Sequence, residues 1–451
     1  MPRVLQTIVC AIALSQRKSH RRSIVKPTMS VSGAQRHRGG GHRKNLWRAV
    51  GPGMLVTLAA CGSGSSGQGS TAASGPITVG VSVSLSGDFS GDGLATQQGY
   101  QTWAAYENAH GGLLGRQIQM KFVSDASSPT QVVTNYQQLI TSDKEDFVLG
   151  PYSTKLTKPA SVIANRYNYV MVEGIGGGPS VFQQGLKNVF DVSASATFQM
   201  VTYAKWLAAT QPPQPIAYAT MDDPFIKPMV DYARDYLDKH GFTEATYKVY
   251  PAETTDFSPI ASALAATHAK IAIIGSMPPD GYAIIQDFIQ DKYNPQQLIE
   301  ASGPDQGSQF VQAVGASNTE GLMVPNSWYP GSTFYQNSDM VAQYIKMFGG
   351  TPDAISADVA EAFSAGQVLE QAVTHTNSTS NTDLENYLRS GASFQSVQGP
   401  VKFGSDGENV AATPYVFQWQ KGKFLPVLPL GIPDVQPIEA NRPDWGTTPG
   451  A

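Results

Sequence analysis

DFVLGPYSTKLTKPASVIANRYNYVMVEG, residues 146–174, holds two short apolar runs with a longer amphipathic stretch between them. DFVLG (146–150) and YVMVEG (169–174) have strand length and β-branched or aromatic content, whereas LTKPASVIANRY (156–167) places its apolar residues at helical spacing. A strand, a crossover helix and a second strand in direct succession form the unit of a parallel sheet, because parallel neighbours need a long return connection. The same alternation continues upstream. ITVGVSVS (77–84) and QIQMKFVSD (117–125) read as strands, Leu94 to His110 as a helix, and SPTQVVTNYQQLITS (128–142) as a helix opened by Ser and Pro. Downstream the pattern restarts. KNVFDVS (187–193) leads into a helix around Phe198–Ala209, and PIAYAT (215–220), EATYKVY (244–250), KIAIIGS (270–276) and QLIEASG (297–303) are strands separated by helices at 225–240, 257–268 and 280–291. Further helices fall at 334–348, 356–375 and 382–389, and β signals return at VKFGSDGE (401–408) and in the hairpin-like TPYVFQWQKGKFLPVLP (413–429).

Residues 76–430 exceed the usual size of one core, so two lobes are expected. The fold class is α/β, with two Rossmann-like doubly wound lobes and a ligand cleft between them. Open parallel sheets bind ligands beyond the carboxyl ends of their strands. Four such loops are rich in Gly, Ser and Thr: SLSGDFSGDG (84–93), GPYSTKLT (150–157), EGIGGGPS (173–180) and SGPDQGS (302–308). Ser153 and Thr154 offer hydroxyls to a ligand carboxylate; they serve equally well as caps for the helix that follows. Trp328 and Tyr329 either line the cleft or pack the hinge.

The N-terminus has a different character. Of 31 Lys/Arg, 11 lie in residues 1–60, which hold no Asp or Glu; the remaining 20 are set against all 35 acids. The acidic body excludes a basic nucleic-acid-binding stripe. Arg43, Lys44 and Arg48 precede an apolar stretch, Ala49 to Ala60, of signal-peptide length and too short to span a bilayer. Leu58-Ala59-Ala60-Cys61 resembles a bacterial lipobox, and a Gly/Ser tether runs to Ser74. The expected organisation is a leader over 1–60 with Met29 as an alternative start, then a lipidated Cys61 and tether over 61–75. One lobe takes 76–196 plus 326–396 and the other 197–325 plus 397–430, and a Pro-rich, frayed tail ends the chain at 431–451. The mature protein is expected outside the cytoplasm, lipid-anchored to the outer membrane face, and monomeric. No GxxxxGK[ST], HExxH or GxSxG motif occurs, and the four body histidines are scattered, so neither a cofactor nor a metal is expected.

NAHGGLLGRQIQMKFVSDASSPTQVV (108–133), GPYSTKLTKPAS (150–161), PAETTDFSPIASAL (251–264), SLSGDFSGDG and SGPDQGS together resemble an extracellular solute-binding protein of the branched-chain amino-acid (Leu/Ile/Val-binding) family, which serves ABC importers. The resemblance covers about 76–429 and implies type I periplasmic-binding lobes joined by three crossings, near 196, 325 and 397. It also implies permease and ATPase partners and no enzymatic activity. The ligand-carboxylate hydroxyl falls on Thr154, with Ser153 beside it, and a second carboxylate contact falls on Ile175, Gly176 and Gly177, where only backbone N–H groups serve. The ammonium-pairing acid falls on Asp305, a second such acid is lost at Ala196, and aromatic positions fall on Phe225 and Met277. Asp92 and Asp358 stand at further ligand-facing positions, the latter where an apolar ring is common. These two acids point to a ligand more polar or cationic than leucine, unless both simply face water. A disulfide seen in some relatives would join Ser127 and Ser153, so it is absent. The same fold also serves as a sensor for a membrane signalling partner; a secreted hydrolase is disfavoured by the missing nucleophile motifs.

Overall fold

The computed structural model describes residues 75–432 and 435–447. Cys61, the leader and the tether lie outside the described residues.

Five parallel strands form the first sheet: β1 (Ile77–Val83), β2 (Ile118–Ser124), β3 (Phe147–Leu149), β4 (Met171–Glu173) and β5 (Val189–Asp191), in the order β2-β1-β3-β4-β5. The order reverses on either side of β1, which makes its carboxyl end a switch point. β1 is covered on both faces, and Ile77, Val79, Val81 and Val83 are fully buried; that is why it reads as a near-continuous apolar run. β2 is an edge strand and mostly half-exposed. KNVFDVS thus closes the first sheet through β5 and does not open the second.

The second sheet starts with parallel strands β6 (Pro215–Met221), β7 (Thr243–Tyr250), β8 (Ile271–Gly275), β9 (Gln297–Glu300) and β10 (Leu322–Asn326). The chain then re-enters the first lobe. Helices Asn337–Phe348, Ala357–Thr376 and Asn381–Leu388 and a small hairpin, β11 (Ser393–Ser396) with β12 (Gly399–Lys402), pack there. Finally β13 (Tyr415–Gln420) and β14 (Lys423–Leu428) add antiparallel strands to the second sheet, whose order is β14-β13-β10-β9-β8-β6-β7.

Two expectations are corrected. Phe394, Val397, Val401 and Phe403 are buried in the first lobe's core, and Asn409 Nδ2 donates to Val192 O there. The last crossing therefore falls between Asn409 and Tyr415 instead of near 397. The β signal at 401–408 is realised only to Lys402. The Pro-rich tail is docked and not frayed over 435–447. Glu439 exchanges hydrogen bonds with the Gln418 amide through both its N–H and its C=O. Arg442 donates to Glu320 O and Asn294 Oδ1 and stacks on Trp445, while Trp445 Nε1 donates to Tyr293 O.

Helix Ser90–Ala109 follows β1 and packs on helix Ala357–Thr376 at close range. A methyl group on Gly366 would lie 2.2 Å from Trp103 Cδ2, and one on Gly99 2.4 Å from Val359 O. Both helices carry cleft residues in their first turns, so this contact fixes part of the site. Gly366→Ala must displace a fully buried indole and should cost about 1–3 kcal/mol, typical of core overpacking. Urea denaturation would measure it, and an unchanged midpoint would mean that Trp103 can yield.

Candidate functional site

The loops after the parallel strands of both sheets converge on one cleft of about 600 Å³. After β1 come Phe89 and Asp92, after β3 Tyr152, Ser153 and Lys155, after β4 Gly174, Ile175 and Gly177, and after β5 Ser193 and Ala194. The second lobe contributes Asp223 and Phe225 after β6, Met277 to Asp280 after β8, and Ala301, Ser302 and Asp305 after β9. Asn326 and Ser327 enter from the second crossing, and Asp358 and Glu361 from the start of helix Ala357–Thr376.

Of the residues singled out in the sequence, Asp92, Ser153, Gly177, Phe225, Met277, Asp305 and Asp358 line this cleft. Thr154 and Gly176 do not. Thr154 is buried behind the wall, where its Oγ1 accepts the N–H of Gly178. Neighbouring residues at a helix start point in different directions, so Ser153 reaches the wall and Thr154 the interior. The Ser153 side chain caps nothing. The N–H groups of Gly176 and Ile175 both donate to Glu173 Oε2, at 2.5 and 2.8 Å, so neither is left for a ligand. Of the three loop positions, Gly177 remains. Trp328 does not line the cleft: it is buried in the first lobe's core and its Nε1 donates to Asn337 Oδ1.

Charge dominates the cleft. Asp88, Asp92, Asp358 and Glu361 from the first lobe and Asp223, Glu253, Asp280 and Asp305 from the second share it with one cationic side chain among the described residues, Lys155. Glu361, Asp223 and Asp280 were not singled out in the sequence. Glu361 lies three residues after Asp358 and so on the same helical face, which was the available signal. Burial pushes Asp305 and Asp280 up to about 6 and Glu361 up to about 7. The charge of Asp92 adds to the rise at Asp305, and Asp305 and Asp92 add to the rise at Glu361. Asp358 is raised well above its ordinary value, first by burial and then by Asp92 and Glu361. Opposing bonds hold the carboxylates in place. The Tyr152 hydroxyl donates to Asp92, Ser356 Oγ to Asp358 Oδ2 and Ser327 Oγ to Glu361 Oε1, and Asp305 Oδ1 accepts the N–H of Gly303. Among the described residues no group of His, Cys, Asp and Glu is arranged to hold a metal ion.

A cleft between two doubly wound lobes, walled by their strand-end loops, is a site for a small solute. The model of the periplasmic binding protein family matches residues 76–423, and the chain belongs to that family. Leu/Ile/Val-binding protein homolog 3 of Brucella melitensis is 23% identical over 356 residues, covering 79% of this chain and 94% of the relative. Leu/Ile/Val-binding protein BraC3 of Rhizobium johnstonii is 22% identical over 355 residues, 77% of this chain and 93% of its own. Two solved structures share the fold. The branched-chain amino acid transporter substrate-binding protein LivJ of Streptococcus pneumoniae, in complex with isoleucine, has a TM-score of 0.68 at 17% identity, covering 77% of this chain and 97% of that one. A solute-binding protein of an ABC transporter from R. palustris, in complex with benzoate, has a TM-score of 0.67 at 16% identity, covering 84% and 100%.

The raised carboxyls fix the sign of a pH effect. Asp305, Asp280 and Glu361 titrate near 6 to 7 when folded and near ordinary carboxyl values when unfolded. Between those limits the folded state binds more protons than the unfolded one, so stability falls as pH rises. Ligand-free protein should therefore melt at a higher temperature near pH 6 than near pH 8. A flat or rising profile over that interval would show the carboxyls to be paired already.

Proposed function

We propose that this chain is the solute-capturing receptor of an ABC importer, held outside the cytoplasm by a lipid on Cys61. Its ligand is a small polar solute bearing a cationic nitrogen, an amino acid or a compound like one. The observation that carries this reading is the cleft's imbalance of eight carboxylates against one ammonium group. Leaving such acids uncompensated is costly, and a cation that meets both lobes relieves them. Asp305 takes the ligand's nitrogen from the second lobe, and Ser153 and Gly177 meet its polar end from the first. Phe225 and Met277 cover its apolar part. The relatives named for leucine, isoleucine and valine support the amino-acid frame; the acids at Asp92, Asp358 and Glu361 argue for a more polar occupant.

Binding acts by population shift: a ligand touching both lobes favours the closed form, which a permease then recognises. Calorimetric titration of the purified protein with amino acids, amines, sugars and organic acids tests the reading. A solute with an amino group should bind and be recovered unchanged. Asp305→Asn should weaken that binding by about 1.5–3 kcal/mol, the range for a hydrogen bond to a charged group. Unaltered affinity would remove Asp305 from the site, and turnover of the solute would replace a receptor with an enzyme. For the anchor, mass spectrometry of the membrane-bound protein should find a mature N-terminus at Cys61 carrying a diacylglyceryl group, and Cys61→Ser should release the protein from the membrane. A chain retaining residues 1–60 would sink the anchor.

A further inference from the structure

Behind the second-lobe wall a group of buried polar atoms, here termed the recess, has no partner among the described residues. It is formed where β8 and β9 end and helix Asp280–Gln290 begins. Both carboxylate oxygens of Glu300, Ser276 Oγ, Asp280 Oδ2 and the Tyr282 hydroxyl are buried there without a hydrogen bond. Glu300 and Ser276 are wholly buried. Two glycines let these side chains pack against the backbone. A Cβ on Gly281 would lie 2.7 Å from Ser276 Oγ and 2.8 Å from Glu300 Oε2, and one on Gly303 would lie 3.3 Å from the same Glu300 oxygen. The recess adjoins the cleft: Asp280, and Ala301 next to Glu300, both line it.

Buried polar groups in native proteins are almost always bonded, and a carboxylate with neither oxygen satisfied marks a missing donor. The five open atoms are mostly acceptors, so the complementary group is rich in donors. An ammonium offers three and a guanidinium five, and both bring the charge that two carboxylates need. Asp305 stands close enough that its charge, after burial, helps push Glu300 up to about 8. One cationic nitrogen at Asp305 leaves Glu300 and Asp280 unserved.

We propose that the cleft takes a ligand with two separated cationic nitrogens, a basic amino acid or a diamine, one nitrogen at Asp305 and the other in the recess of Ser276, Asp280 and Glu300. The proposal rests on the receptor reading above and narrows its ligand. A neutral Glu300 bonded to ordered water is the competing occupant of the recess.

Matched pairs of ligands separate the cases. L-lysine against L-norleucine, and cadaverine against n-pentylamine, differ by one terminal ammonium on the same carbon chain. Calorimetry with the purified protein should give the dication an advantage of about tenfold or more, as expected for gaining charge-assisted hydrogen bonds in a buried site. Glu300→Gln and, separately, Asp280→Asn should each shrink that ratio towards one. The wild-type ratio stands by itself if Glu300→Gln does not fold. Equal binding within each pair, or a ratio that both substitutions leave intact, overturns the recess and assigns it to water, while the single-nitrogen receptor reading survives. No binding of any amine, with or without binding of a sugar or an organic acid, overturns the recess and the amino-solute reading together.

Discussion

Carboxylates from two lobes meet in one partly desolvated cleft, and the behaviour of the molecule depends on how that charge is answered. Asp305 belongs to the second lobe, and Asp92, Asp358 and Glu361 to the first, yet each of these first-lobe acids shares its field with Asp305 or with a neighbour that does. Like charges disfavour joint ionisation. With no cation present, the cleft answers by holding protons. In the receptor proposed above, a cationic ligand replaces those protons and offsets the repulsion between the walls.

The fold explains how such acids are tolerated at all. Strand-end loops in a parallel sheet feed directly into helix N-termini, which carry a partial positive charge. Asp92, Asp280 and Asp358 each occupy the first turn of a helix, Ser90–Ala109, Asp280–Gln290 and Ala357–Thr376 respectively. Such ends ordinarily bind an anion. Here each is given a covalently attached carboxylate, so an architecture suited to anions presents a surface suited to cations. The dipole offsets part of the desolvation cost, and what it does not offset appears as raised carboxyl titration.

The lobes and most strands were legible because buried parallel strands are apolar on both faces; β1 could hardly be read otherwise. Asp92 and Asp305, after strands, and Asp358, at a helix start, were legible through family resemblance. Other features depended on direction, which sequence carries poorly. Ser153 and Thr154 are adjacent hydroxyls, and only the backbone decides which meets the cleft. Glu300 and Ser276 read as ordinary strand ends, because nothing in the sequence shows that their polar atoms pack against Gly281 and Gly303 without a partner. The strand residues 393–402 suit either lobe by pattern, and only the burial of Phe394 and Val401 against the first core assigns them. The tail was misread because a Pro-rich composition conceals particular bonds such as those of Arg442.

A ligand moves an equilibrium between open and closed forms only through contacts that differ between them. A group bound solely by the first lobe, at Ser153 for instance, would raise affinity without favouring closure. In the proposed receptor, a ligand on Asp305 and Asp92 together bridges the two lobes. Ser327 makes the same point from the hinge side: it lies just after β10, at the second crossing, and donates to Glu361 on the first-lobe helix. The strength of that bond depends on whether Glu361 is ionised, and a cation in the cleft favours ionisation. In the proposed receptor, charge compensation and hinge geometry are thus read by one carboxylate, so binding and closure would share one device.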